Sequence, residues 1–431
     1  MNIKFTNARI LTMVRGEDVY DGSLYTQDDR IVYVGPALTE VEETSKLPSG
    51  YKADKTMDCS GNLLMPGFKN AHAHSGMSVL RSCADDMPLG DWLNKQIFPR
   101  EAKLDADMIA DATKLSVLEY LTGGMTACFD MYLTPESEAC AYRDMGYRAV
   151  LCGNLNNFSS SVGYTEEMYD KLNHYDPLIT YEIGFHAEYT CSDELMKSLS
   201  EMAHRHNAPV YTHLSETRSE VDGCIERYGM TPAAYLESIG MWDNGGGGYH
   251  CVHMSDEDME IFKRHGLHVI TNPGSNTKLA SGIAPIREYL ERGINVGIGT
   301  DGPASNNCLD MFREMFLTTG LAKLREEDAA VVDALDVLHM ATVGSAMAMR
   351  LNDADVLAAG KLADIIMLDL HQPNMQPLNN IAKNIVYSGS KSNVKMTMIA
   401  GRILYMDGRF DDSYDVERIY ERAQEIIDTI R

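Results

Sequence analysis

The sequence predicts an α/β chain: a (β/α)8 TIM-like barrel with a small β-sandwich domain formed by its N- and C-terminal segments. Three observations carry this reading. Between residues 66 and 355, eight short apolar segments alternate with stretches of helical period, the texture of buried parallel strands returned by helices. Residues 1–65 and 356–431 read differently, as short strands punctuated by Gly and Asp. Residues of metal-ligating type stand at the C-terminal ends of several of the eight segments, which is where such barrels place their chemistry.

In chain order, strands are expected at 3–5, 8–13 and 30–34 in the first flank. The barrel strands are expected at 67–71, 125–129, 148–151, 179–183, 209–212, 248–252, 267–270 and 295–299, with helical segments such as 105–122, 192–206 and 308–323 between them. The second flank offers strands at 363–368, 396–400 and 402–405 with turns at Gly401 and Asp407-Gly408, then a helix over 412–431. One small domain built from both flanks, 1–65 with 356–431, follows from termini that lie together.

The strand ends define a constellation. The first strand closes on His72-Ala73-His74, and residues i and i+2 of a strand share a face, so both imidazoles enter one space. The fifth strand ends in His213, the sixth in His253, and the eighth runs into Asp301. Imidazoles and a carboxylate converging on one mouth suit a borderline divalent ion such as Zn²⁺. His250 shares its strand face with Val252 and is expected to point away. His204 and His206 also form an HxH, but on a helical stretch where i and i+2 do not share a face, so they read as surface residues. Glu216 stands three residues beyond His213, where metal-assisted hydrolysis needs a proton carrier.

Composition bounds the partners. The 431 residues carry 38 Lys and Arg against 63 Asp and Glu, a net charge of −25, with no basic run. That argues against nucleic acid or an anionic membrane as partner. The nine cysteines include no CxxC pair and are expected as reduced thiols of a cytoplasmic protein. The first residues lack the apolar core of a signal peptide, and no run of 18 apolar residues offers a membrane span.

The motifs resemble a known family. Pro66-Gly67-Phe68-Lys69-Asn70-Ala71-His72-Ala73-His74 is similar to the opening of the amidohydrolase superfamily. Arg81 to Leu89, Asp91-Trp92-Leu93, His213-Leu214-Ser215-Glu216-Thr217, His250-Cys251-Val252-His253, Asn272-Pro273-Gly274-Ser275-Asn276 and Gly299 to Asn307 resemble its adenosine-type aminohydrolase branch, which deaminates methylthioadenosine and S-adenosylhomocysteine. Gly360 to Ile365 and Ala400-Gly401-Arg402 resemble the family's returning β domain. The likeness spans essentially the whole chain.

The resemblance implies one divalent ion held by His72, His74, His213 and Asp301. Zn²⁺ is expected, with Fe²⁺, Mn²⁺ or Ni²⁺ as alternatives. Glu216 would shuttle the proton, His253 would orient the attacking water, and Asp301 would accept its proton. Trp92, Glu101 and His186, with Glu216 and Asp301, would contact the nucleoside, Glu101 through the ribose hydroxyls. The fourth strand carries Glu182 and no lysine, which favours one metal over two. The implied reaction converts an adenosine derivative (5′-methylthioadenosine, 5′-deoxyadenosine, adenosine or S-adenosylhomocysteine) to the inosine-type product and ammonia. Members that accept S-adenosylhomocysteine carry an arginine just after the third strand. Here Cys152-Gly153-Asn154-Leu155-Asn156 has none, so substrates lacking a carboxylate are expected. Relatives of this type often complete the site with a neighbouring subunit, so a homo-oligomer is expected too. The rival readings are another heterocycle on the same site, guanine, cytosine or a triazine, and a non-catalytic binding protein on the same fold.

Overall fold

The computed structural model describes residues 1–431. At its centre are eight parallel strands: β1 (Phe68–Ala73), β2 (Met125–Met131), β3 (Arg148–Cys152), β4 (Ile179–Ala187), β5 (Val210–Leu214), β6 (Gly246–His250), β7 (His268–Thr271) and β8 (Asn295–Ile298). Each pairs with the next in sequence. Residues just past β8 close the circle: the backbone N–H groups of Thr300 and Asp301 donate to the His72 carbonyl at 3.1 and 3.0 Å. This is the expected α/β barrel.

Period 2 sorts the strand residues. Ala127, Phe129 and Met131 of β2 fill the barrel with Val150, Tyr211 and Tyr249, while Cys128 packs outward under the helices. Ala348 and Met349 plug the lower end, where the Tyr211 hydroxyl donates to the Ala348 carbonyl at 2.8 Å. The covering helices begin on side-chain caps, among them Asp105, Ser161, Ser192, Thr217, Ser255 and Asp310. No helix is long and apolar enough to cross a membrane.

The flanking segments build one nine-stranded sheet. Ile3–Ile10, Tyr20–Gln27, Arg30–Gly35, Lys55–Asp58 and Leu63–Pro66 come from the N-terminal side, and Ile365–Leu368, Val394–Ile399, Arg402–Met406 and Arg409–Phe410 from the C-terminal side. The seam is Leu63–Pro66 paired antiparallel with Ile365–Leu368. Alternate residues face two cores: Leu63, Met65, Ile366 and Leu368 pack with the barrel, while Leu64, Ile365 and Met367 join Ile3, Phe5, Met396 and Met398. That second core is shared by both ends of the sheet, which curls until the Gly401 turn lies against Asp28.

The fold departs from expectation in three places. The first two expected strands are one, bulged between Phe5 and Ala8 with Asn7 at φ 51°. The strands Tyr20–Gln27, Lys55–Asp58 and Leu63–Pro66 were not legible. The final helix, Val416–Ile430, leaves the sheet and packs on the barrel, burying Ile426 and Ile430 with Met77, Trp92 and Ile109.

Candidate active site

His72 lies near the end of β1 and His74 just past it, and both rings are buried at the upper mouth of the barrel. The Nε2 atoms of His72 and His74 stand 3.3 and 3.2 Å from Asp301 Oδ1. His213 Nε2 stands 3.3 Å from that of His74. Ligand atoms of His72, His213, His250 and Asp301 all lie within 4.8 Å of one another.

The surroundings aim these atoms inward. The Nδ1 atoms of His74 and His213 donate to the carbonyls of Met131 and His186, and that of His250 donates to Asn276 Oδ1 at 2.7 Å. Each ring is left with its Nε2 lone pair turned to the centre. Asp301 Oδ2 accepts from the hydroxyls of Ser275 and Ser305 at 2.6 and 2.7 Å, so Oδ1 is the oxygen that faces the imidazoles.

The charge states fit a cation. Burial pulls His72 down to about 3 and holds His213 well below its ordinary value, so both are neutral, as ligands must be. Burial also opposes the charged form of His74, but the Asp301 carboxylate outweighs it and lifts the group to about 9. A bound metal ion would take the place of that proton. The sharpest indication is His72, fully buried with neither ring nitrogen hydrogen-bonded. Such an orphaned group is costly unless something else occupies its lone pair.

His253 is not part of this group, and that corrects the sequence reading. β6 runs over Gly246–His250, two residues earlier than expected. His250 therefore ends the strand and enters the mouth, its Nε2 3.9 Å from Glu216 Oε2. His253 is half-buried, and its ring donates from Nε2 to the Ser281 carbonyl at 2.8 Å. The cause is the glycine run. A Cβ at Gly246 would stand 1.9 Å from the Val210 carbonyl oxygen and one at Gly247 2.6 Å from that of His268. Only glycines let β6 pass between β5 and β7, yet such a run reads as a turn in sequence.

Above the cluster opens a cavity of about 570 Å³. His74, His213, His250, Asp301 and Glu216 line it, and so do Trp92, Glu101 and His186. The structure thus brings together every sequence-derived candidate except His253. Trp92 Nε1, Glu101 Oε1 and the Tyr132 hydroxyl are buried there without hydrogen-bond partners, a donor–acceptor set directed at a polar ligand. Burial raises the Glu101 carboxyl above its usual range, the neighbouring Tyr132 hydroxyl opposing. Asn154 Oδ1 is likewise unpartnered on the cavity wall. No lysine or arginine lines the cavity. Glu182 of β4 is turned instead to Arg350, 3.1 Å away. Sequence reasoning missed His250, Tyr132, Asn154 and the two serines on Asp301. Ser275 and Ser305 follow β7 and β8, and no local pattern marks them as partners of one carboxylate.

Residues 63–404 match the Amidohydrolase family. A 5-methylthioadenosine/S-adenosylhomocysteine deaminase of Syntrophobacter fumaroxidans is 38% identical over 100% of this chain and 98% of its own length. A 5′-deoxyadenosine deaminase of Methanothermobacter thermautotrophicus is 35% identical over 96% of this chain and 98% of its own. Among solved structures, a zinc-bound adenosine deaminase from Xanthomonas campestris superposes with a TM-score of 0.92 at 30% identity, covering 100% of this chain and 98% of that one.

Proposed function

We infer the activity from the premise that this chain belongs to the amidohydrolase family: it is a metal-dependent aminohydrolase that converts an adenosine derivative to the inosine-type product and ammonia. The observation that carries this is the meeting of His72, His74, His213 and Asp301 with Glu216 at the floor of a cavity whose wall holds the unpartnered Trp92, Glu101 and Tyr132 groups.

His72, His74, His213 and Asp301 hold the ion, and their nitrogen-rich donor set suits Zn²⁺. When bound, such an ion supplies Lewis-acid charge that makes a water molecule acidic near neutral pH. Asp301 accepts the proton released by the attacking water. Its Oδ2 stays fixed by Ser275 and Ser305. Glu216 hands its proton to the purine ring nitrogen next to C6, which makes that carbon electrophilic; on collapse of the tetrahedral adduct the proton held by Asp301 passes to the departing amino group, which leaves as ammonia, and the C6 hydroxyl proton returns to Glu216. His250 takes the water-orienting role first assigned to His253, because its Nε2 reaches the cluster. Glu101 accepts from the ribose hydroxyls, and Trp92 and His186 flank the nucleoside.

The lining also sets the substrate's charge. The cavity presents Glu101, Glu216 and Asp301 and no cationic side chain of Lys or Arg, so a carboxylate at the 5′ end finds no charge-assisted partner. Methylthioadenosine, 5′-deoxyadenosine and adenosine are the expected substrates, ahead of S-adenosylhomocysteine. An ammonia-release panel on purified protein, with metal analysis, tests this. Turnover of free guanine, cytosine or a triazine above the nucleosides overturns the activity. A higher kcat/KM for S-adenosylhomocysteine overturns only the charge preference.

A further inference from the structure

Glu216 sits on a loop, between β5 and the helix Arg218–Tyr228. A loop glutamate has free torsions, and a proton carrier must present one oxygen in one direction. The surroundings of Glu216 supply that constraint from two sides.

From below, Glu220 holds the backbone. Its carboxylate accepts the N–H groups of Ser215 and Glu216 at 2.7 and 2.8 Å. This keeps Ser215 in the left-handed region, at φ 50°. From above, the Ser281 hydroxyl donates to Glu216 Oε1 at 3.0 Å. Oε2 is left to face His250 Nε2 at 3.9 Å.

Ser281 is itself immobilised. Its N–H donates to the Asn276 carbonyl at 2.9 Å. Its own carbonyl accepts from His253 Nε2 at 2.8 Å. Gly282 follows at φ 131°, so close to the chain beneath that a Cβ would meet Val252 at 2.8 Å. His253 closes the ring of contacts, because its backbone N–H donates to the Ser215 carbonyl at 2.9 Å. Thus the Ser215–Glu216 turn, His253 and Ser281 form one hydrogen-bonded cycle, and the Ser281 hydroxyl is the only link from it to the carboxylate.

We propose that Ser281, anchored by His253, is a positioning residue that fixes which oxygen of Glu216 carries the transferred proton. The proposal rests on the reading of Glu216 as that carrier. The serine hydroxyl has a single proton and gives it to Oε1. The proton that moves to and from the substrate therefore resides on Oε2, the oxygen on the His250 side. Without the hydroxyl the carboxylate rotates and its two oxygens become equivalent. The substrate still binds, but the proton is misplaced at the moment of transfer.

The test compares Ser281→Ala, Ser281→Thr and Glu216→Gln in the full-length, metal-loaded protein, with 5′-deoxyadenosine as substrate and metal content measured alongside. Ser281→Ala is expected to lower kcat by about 10- to 100-fold, the scale of a hydrogen bond to a charged group. KM and metal content stay within about twofold, because the lost contact acts only in the proton transfer. Ser281→Thr, which keeps a hydroxyl, should recover kcat to within about fivefold of the parent. Near-parental kcat in Ser281→Ala, while Glu216→Gln is inactive, overturns the positioning role alone. Equal loss in the Ala and Thr variants does the same, since it reports packing rather than the hydroxyl. Full turnover by Glu216→Gln overturns the assignment of Glu216 and the proposal with it.

Discussion

Replacing His250 and His253 separately by Asn distinguishes the two histidines that bracket Cys251-Val252. His250 Nε2 is 3.9 Å from Glu216 Oε2 and belongs to the group of ligand atoms within 4.8 Å of one another. Removing a side chain that handles the attacking water at such a centre costs about 100- to 10,000-fold in kcat, roughly 3–5 kcal/mol of barrier. His253 makes one side-chain hydrogen bond, to the Ser281 carbonyl at 2.8 Å. Losing a bond of that kind is worth about 1 kcal/mol, or roughly fivefold in rate if it passes wholly into the barrier. His250→Asn should therefore fall at least tenfold further than His253→Asn. The assay is initial-rate ammonia release at saturating nucleoside, with bound metal quantified in each preparation so that a loss of metal is not read as a loss of chemistry. Equal losses, or a greater loss in His253→Asn, would refute both the strand boundary at His250 and the role drawn from it.

Two further outcomes follow from burial. Lys69 is fully buried, its ammonium bonded to the Gly67 carbonyl and the Thr126 hydroxyl at 2.8 and 2.9 Å, and desolvation pushes it from 10.5 down to about 8. Because its folded value lies below its unfolded one, the penalty is full below about pH 8 and fades as pH rises to 10.5. That penalty is at most about 3 kcal/mol, and losing the two hydrogen bonds offsets part of it. Lys69→Met should gain about 1–2 kcal/mol in denaturant unfolding at pH 7 and lose about 1–2 kcal/mol near pH 10.5, where only the missing hydrogen bonds count, so a loss at pH 7, or a gain independent of pH, contradicts the reasoning. Ile426 is buried in the same cluster as Trp92, so Ile426→Ala should remove about 2–4 kcal/mol of packing and loosen the cavity wall. KM should rise severalfold while kcat and metal content hold, and an unchanged KM would show that the final helix does not support the wall.

Much of the barrel was legible because its strands are short, apolar and regularly spaced, a pattern that buried parallel strands impose on composition. The HxH of β1 was legible for a stricter reason: a period of 2 forces His72 and His74 onto one face wherever the strand begins. The flanking sheet was harder. Tyr20–Gln27 contains Asp21 and Gly22 and has no clean alternation, and it is a strand because Ile3–Ile10 and Arg30–Gly35 lie on either side of it. The final helix was legible as a helix, but its sequence does not say which surface it covers. Ile426 and Ile430 could have met the sheet, and they meet the barrel beside Trp92.

By itself, the sequence determined the kinds of ligand, their order along the chain, the position of Glu216 after His213, and the family resemblance that ties them together. The tertiary structure decided which histidine of the pair 250 and 253 enters the site. The chain reverses directly after His250, with His250 and Cys251 at φ 70° and 48°. Neither is the glycine that would announce such a turn in sequence. The reversal is held from a distance: Cys251 N–H donates to the Leu214 carbonyl, and those of Val252 and His253 donate to the Ser215 carbonyl. A bend maintained by hydrogen bonds to a strand more than thirty residues away leaves no local trace, and that is why it was visible only once β5 and β6 lay side by side.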